Sequence, residues 1–155
     1  MTAFALLYTA HLLAATVWVG GMFFAWVILR PAAAAALPGP ARLQLWLAVF
    51  PRFFAWVWLA VAILPISGVA IARLRFASLE TAPHYVQVMM GLYVVMVAIF
   101  LRVQALQLPE LRRHVNAEDW PAGAAVQVRM RRLVGVNLLI GLAVMALAAM
   151  RPGML

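Results

Sequence analysis

His11 stands alone in the first part of the chain. From Met1 to Leu29 the sequence contains no Asp, Glu, Lys or Arg, and His11 is the one side chain there that titrates near neutral pH. An ionisable residue in a long apolar segment is costly and indicates a functional site by default. A neutral imidazole can ligate a metal or carry a proton. His11 is therefore the first candidate for chemistry, and the alternative is a hydrogen-bonded packing residue.

The helical face around His11 has an unusual composition. At 100° per residue, His11 shares a stripe with Ala14, Ala15, Trp18 and Met22. The two alanines leave space beside the imidazole, and the indole and thioether would wall that space. A flat, bulky cofactor such as a haem would fit there. Close packing of a neighbouring helix would fit as well, because small residues also mark helix contacts.

A second set of candidates lies on the third apolar segment. His84 begins that segment, and Gly91 lies about 10 Å further in, which is the predicted depth of His11. We expect Gly91 to open space opposite the imidazole. His84 is either a second ligand or a simple interfacial residue. On the fourth segment, Asn137 is expected to make an interhelical hydrogen bond.

Several chemistries are excluded by residue type. The chain has no cysteine, so thiolate metal sites and iron–sulfur clusters are absent. The four acidic residues, Glu80, Glu110, Glu118 and Asp119, all lie outside the apolar segments. No Gly-rich phosphate loop and no buried Ser-His-Asp set is present. A hydrolase or an ATP-driven pump is therefore excluded, and metal or cofactor chemistry remains.

The elements that position these residues are membrane-spanning helices. Of 155 residues, 68% are hydrophobic and 10% are charged, whereas soluble domains carry about 25% charged residues. Four segments are long and apolar enough to cross a bilayer, which takes about 20 residues. We predict an all-α integral membrane protein: one domain, 1–155, forming a four-transmembrane-helix bundle. The predicted helices are 4–29, 53–72, 84–103 and 132–150.

The connections are predicted from proline and polar residues. Pro31 is expected to close the first helix. The kink expected at Pro65 frees a carbonyl, which nearby Ser67 and Gly68 are expected to help satisfy. Residues 109–131 form a cytoplasmic segment in which Asp119 caps an extension of the fourth helix.

The arginines predict the orientation. The chain has no lysine. Nine arginines flank one end of the spans, which we call the basic end, and three flank the other. The nine are Arg30, Arg42, Arg52, Arg102, Arg112, Arg113, Arg129, Arg131 and Arg132, and the three are Arg73, Arg75 and Arg151. The positive-inside rule puts both termini on the outer, periplasmic side of a bacterial inner membrane, as a multi-pass protein. The arginines are expected to meet lipid head groups rather than nucleic acid.

Four stretches carry a family resemblance. They are "HLLAATVWVGGMFF", "FPRFFAWVW", "YVQVMMGLYVVMVAIF" and "DWPA" with "RRLVGVNLLIGL". Together they resemble the copper resistance protein D (CopD) family, of which this chain looks like a small stand-alone four-helix member. More distantly, the chain is similar to the HemJ type of protoporphyrinogen oxidase and to other membrane bundles that hold b-type haem. The resemblance implies that His11 is an axial haem ligand.

The leading functional hypothesis is a haem b protein in redox or electron transfer, with a membrane haem oxidoreductase as one form of it. Its predicted site comprises His11, Ala14, Ala15, Trp18, Met22, His84 and Gly91, with His11 and His84 as metal ligands. Expected partners are the lipid bilayer, a quinone, a porphyrin or a periplasmic redox or copper protein, and a homodimer is compatible with the sequence.

Two alternatives remain open. One is a copper transport or resistance protein with His and Met ligands, which suit Cu(I). The other is an accessory subunit without a ligand. The absent lysine, which the HemJ type carries near its site, and Arg102, where related sequences have His, count against enzymatic activity more than against haem binding.

Overall fold

Four long helices make up the fold. The computed structural model describes residues 3–76 and 81–150, and these residues form helices and short connections without a strand. The helices are α1 (Ala3–Ala36), α2 (Gly39–Phe76), α3 (His84–Asn116) and α4 (Trp120–Met150), each apolar enough to cross a membrane. The predicted all-α, four-span architecture is confirmed. Glu80 and Arg151 lie outside the described residues.

Two helices continue through prolines near the basic end. The prediction that Pro31 closes α1 is wrong, because the helix widens into a π-helical turn over Phe24–Leu29 and then runs on to Ala36. In α3 a second π-helical turn, Val103–Gln107, lies just ahead of Pro109. Each proline stands in the first turn of the α-helical segment that follows, where its missing N–H costs little. Both helices are therefore longer at this end than their apolar runs.

The polar segment 109–131 is almost entirely helical. Only the short turn between α3 and α4 interrupts it, and Asp119 begins the new helix there. Its Oδ1 accepts a hydrogen bond of 3.3 Å from the backbone N–H three residues later, which confirms the predicted cap. The carboxylate also lies 3.3 Å from His114 Nδ1. An ion pair of 2.7 Å between Glu110 and Arg129 further ties the ends of α3 and α4.

The core lies where the four helices meet. α1 packs mainly on α2, and α3 mainly on α4. Trp18 of α1 is only 1% exposed and sits at the centre of the bundle. α1 and α4 also approach closely, since a Cβ on Gly141 would lie 2.8 Å from Val19. Large apolar side chains such as Leu13 and Leu139 cover the outer faces, as expected for a bundle solvated by lipid.

Candidate metal-binding site

His11 faces α2. It lies about 12 Å from the start of α1 by helical rise and is half-buried. Its Nδ1 is 2.8 Å from the hydroxyl oxygen of Ser67. The ring edge also lies over Gly68, where a Cβ would come within 3.2 Å of His11 Cε1. The imidazole therefore packs against the Ser67–Gly68 pair. Ser67 is its hydrogen-bond partner, and Gly68 has no side chain that would clash with the ring.

The hydrogen bonds of Ser67 determine which nitrogen of His11 carries the proton. A serine hydroxyl has one hydrogen, and Ser67 Oγ lies 2.6 Å from the Ile63 carbonyl, which can only accept. Ser67 therefore donates to Ile63 and accepts from His11, so the proton of the neutral ring is on Nδ1. Among the described residues no group hydrogen-bonds to Nε2. The lone pair of Nε2 is left available to a ligand.

Ser67 is the one hydrogen-bond partner of the His11 ring among the described residues, and it holds Nδ1–H. Metal-binding histidines commonly have their second ring N–H held by an oxygen in this way, which orients the ring and makes the ligating nitrogen more basic.

Pro65 shapes the part of α2 that receives His11. Proline has no N–H, so the Val61 carbonyl one turn earlier lacks its helical donor. The hydroxyl of Tyr93 on α3 donates to that carbonyl over 2.7 Å. Ser67 instead bonds the carbonyls of Ile63 and Leu64, and Gly68 has no polar side chain. The expectation that Ser67 and Gly68 satisfy the freed carbonyl is therefore wrong, because a tyrosine from another helix does so.

The stripe below His11 is largely buried between the helices. Ala14 and Met22 are buried, and Ala15 is half-buried. The Trp18 ring stands edge-on to the rings of Tyr93 and Phe100, with both centroid distances 6.3 Å. Trp18, which was expected to wall a cofactor space, thus packs against aromatic side chains of α3. The haem site predicted on this stripe stays a prediction.

His84 and Gly91 do not join His11. His84 is exposed at the start of α3, and a Cβ built on Gly91 would meet nothing within 4 Å. The expectation that Gly91 lies opposite the imidazole is wrong, because the glycine that His11 contacts is Gly68 on α2. Within residues 3–76 and 81–150, no group of three His, Asp or Glu side chains could hold a metal. The ligand role predicted for His84 stays a prediction.

A cavity lies closer to the basic end. Its volume is about 230 Å³, all four helices contribute to its walls, and His11 does not line it. Small-molecule sites usually measure roughly 300–1,000 Å³, so this cavity is small. The one polar side chain in its wall is Asn137, which is 3% exposed. Its Oδ1 has no hydrogen-bond partner in the described part of the chain, so the predicted interhelical hydrogen bond is not formed.

Sequence reasoning missed the partners of His11 for a definable reason. Ser67 lies about 13 Å from the end of α2 by helical rise, nearly the depth of His11 in α1. A comparison of residue depths on α1 and α2 would therefore have predicted that His11 and Ser67 lie close together. No comparable signal existed for Tyr93, because its role follows from the rotation of α3 about its axis.

Comparison with known proteins identifies a family for most of the chain. Residues 47–151 match the model of the family described as copper resistance protein D. His11 precedes the matched segment, whereas Ser67, Gly68 and Tyr93 lie within it. Neither the curated proteins nor the solved structures give a match. The family and the four apolar helices together identify a multi-pass protein of the bacterial inner membrane.

Proposed function

The chain belongs to the copper resistance protein D family, and on this premise we propose that it handles copper by binding Cu(I) at His11. The observation that carries the proposal is the free Nε2 of a histidine inside the bilayer, with Nδ1–H held by Ser67. Cu(I) is a soft ion that accepts imidazole and thioether ligands. Copper is the cargo here rather than a resident cofactor.

The single ligand suits the transfer of Cu(I) better than its storage. His11 offers the ion one nitrogen ligand. The remaining coordination positions of the ion are filled by the molecule that delivers or receives it, such as a periplasmic copper protein. A single protein ligand binds loosely enough to release the ion again. Ser67 contributes by keeping the ring in one tautomer and one orientation, so that Nε2 is ready when the ion arrives.

The proposal includes an orientation. Of the arginines in the described residues, nine lie at the basic end, and Arg73 and Arg75 lie at the other end. The positive-inside rule then places the basic end in the cytoplasm. His11 would lie about 12 Å from the periplasmic end of α1, within reach of copper from that side.

Cu(I) binding to the purified protein tests this function. The protein in detergent is titrated under reducing, anaerobic conditions against a chromophoric Cu(I) chelator, alongside the variants His11→Ala and His84→Ala. We expect His11→Ala to lose binding and His84→Ala, which alters an exposed histidine of another helix, to retain it. Wild-type affinity in His11→Ala would overturn the proposal. So would a haem absorption band in the purified wild-type protein that disappears in His11→Ala.

A further inference from the structure

The cavity near the basic end has features of a second binding site. It is built from all four helices and is lined almost entirely by apolar side chains. The exception is Asn137, whose buried Oδ1 lacks a partner among the described residues. Leaving such an acceptor unpaired costs about 1–3 kcal/mol. In this structure the oxygen is covered by protein atoms, and rotation of the amide would present it to a ligand in the cavity that carries a hydrogen-bond donor.

The π-helical turn of α1 forms one side of this cavity. Phe24, Ala25 and Leu29 all belong to that turn and all line the space. π-helical turns occur frequently at functional sites. Phe24 is 52% exposed on the outer face of the bundle, so the wall that it forms reaches the lipid. A ligand dissolved in the bilayer would therefore meet the wall of the cavity at Phe24.

Volume and polarity limit the kind of ligand. An apolar cavity of about 150 Å³ holds a benzene molecule, so about 230 Å³ accommodates one or two fused rings. Trp18, Phe50 and Phe100 supply aromatic walls. A buried water would need two to four polar partners, which this lining does not provide. An aromatic ring with a hydroxyl group satisfies both the walls and the amide.

We propose that this cavity binds a membrane-soluble phenol or hydroquinone ring, with the ring hydroxyl donating to Asn137 Oδ1. The site is separate from His11 and does not depend on copper. The same ring chemistry could arrive as a free phenol or as the head group of a lipid-soluble hydroquinone. No reaction of the ring is proposed, only its binding.

Binding of 2-naphthol and naphthalene to the protein in lipid nanodiscs tests the proposal. Trp18 lines the cavity, so saturable energy transfer from tryptophan to the added ring reports occupancy. We expect wild type to bind 2-naphthol about tenfold more tightly than naphthalene, as one hydrogen bond predicts. Equal affinities for the two rings, or only unsaturable partition into lipid, would overturn the proposal without any variant.

Two variants sharpen the test. Asn137→Leu keeps the size of the side chain and removes the amide, so it should bind both rings equally; thermal melting checks that it is folded. Ala25→Leu fills the cavity and should lose saturable binding of both rings. Persistent preference for 2-naphthol in Asn137→Leu, or undiminished binding in Ala25→Leu, would contradict the proposed site.

Two further experiments distinguish a free phenol from a hydroquinone head group as the ligand, and test whether the cavity and His11 are independent sites. Competition by a short-chain hydroquinone, compared with 4-propylphenol, shows whether a head group or a free phenol binds better. His11→Ala should bind 2-naphthol as wild type does, and loss of that binding would contradict the independence of the two sites.

Discussion

Replacing Ser67 by alanine removes the hydrogen-bond acceptor that holds the proton of His11 on Nδ1. The Nδ1–Oγ distance is 2.8 Å, and Ser67 is 3% exposed, so the change removes the support of the ring without altering His11 itself. Without the hydroxyl, the ring can turn or take the other tautomer, in which Nε2 carries the proton. That tautomer has no lone pair on Nε2 for Cu(I).

The expected loss follows from the contact between His11 and Ser67. Removing a group that supports a metal-binding histidine typically weakens metal affinity by about 10–100-fold, or roughly 1.4–2.7 kcal/mol at 1.36 kcal/mol per decade. Ser67→Ala leaves the ligating nitrogen of His11 itself unchanged, and the Nε2-unprotonated tautomer stays accessible to the ring. We therefore expect Ser67→Ala to weaken Cu(I) binding by about tenfold, at the lower end of that range.

The assay is the Cu(I) competition titration, with Ser67→Thr as the matched control. Threonine keeps the hydroxyl and adds one methyl group, so it should stay within about threefold of wild type, less than the loss of one net hydrogen bond. His11→Ala provides the baseline without the ligand. If Ser67→Ala binds Cu(I) as tightly as wild type while His11→Ala does not, the tautomer argument is refuted. A Ser67→Thr variant as weak as Ser67→Ala would refute it too.

Three further predictions concern stability and topology. Tyr93→Phe removes the donor to the Val61 carbonyl and should destabilise the protein in detergent by about 1–3 kcal/mol. This loss of stability should shrink in a Pro65→Ala background, where the backbone N–H returns. An equal loss in both backgrounds would contradict the account. Asp119→Ala removes the cap of α4 and should cost about 1 kcal/mol in thermal unfolding, with the neighbouring exposed Glu118→Ala as the control that should not. An alkaline phosphatase fused to the C-terminus should be active, because the proposed orientation, which rests on the arginine distribution, has that end in the periplasm. Activity of a fusion in the turn between α3 and α4 instead would contradict that orientation.

The local composition determined the class of this protein. Hydropathy and length belong to a segment by itself, so four spans and an all-helical membrane bundle could be predicted before any contact was known. The isolation of His11 among apolar residues was visible for the same reason. The cap at Asp119 was also predictable, because a cap acts over three residues of one chain segment.

The partners of His11 were decided only by the tertiary structure. A shift of one residue turns a helix face by 100°, so the sequence could place Gly91 at the right depth yet on the wrong helix. The packing of α1 on α2 selects Ser67 and Gly68 instead, and the rotation of α3 brings Tyr93 to the carbonyl that Pro65 leaves free. Contacts of this kind depend on which helices are neighbours and how each is turned, and no single segment encodes that.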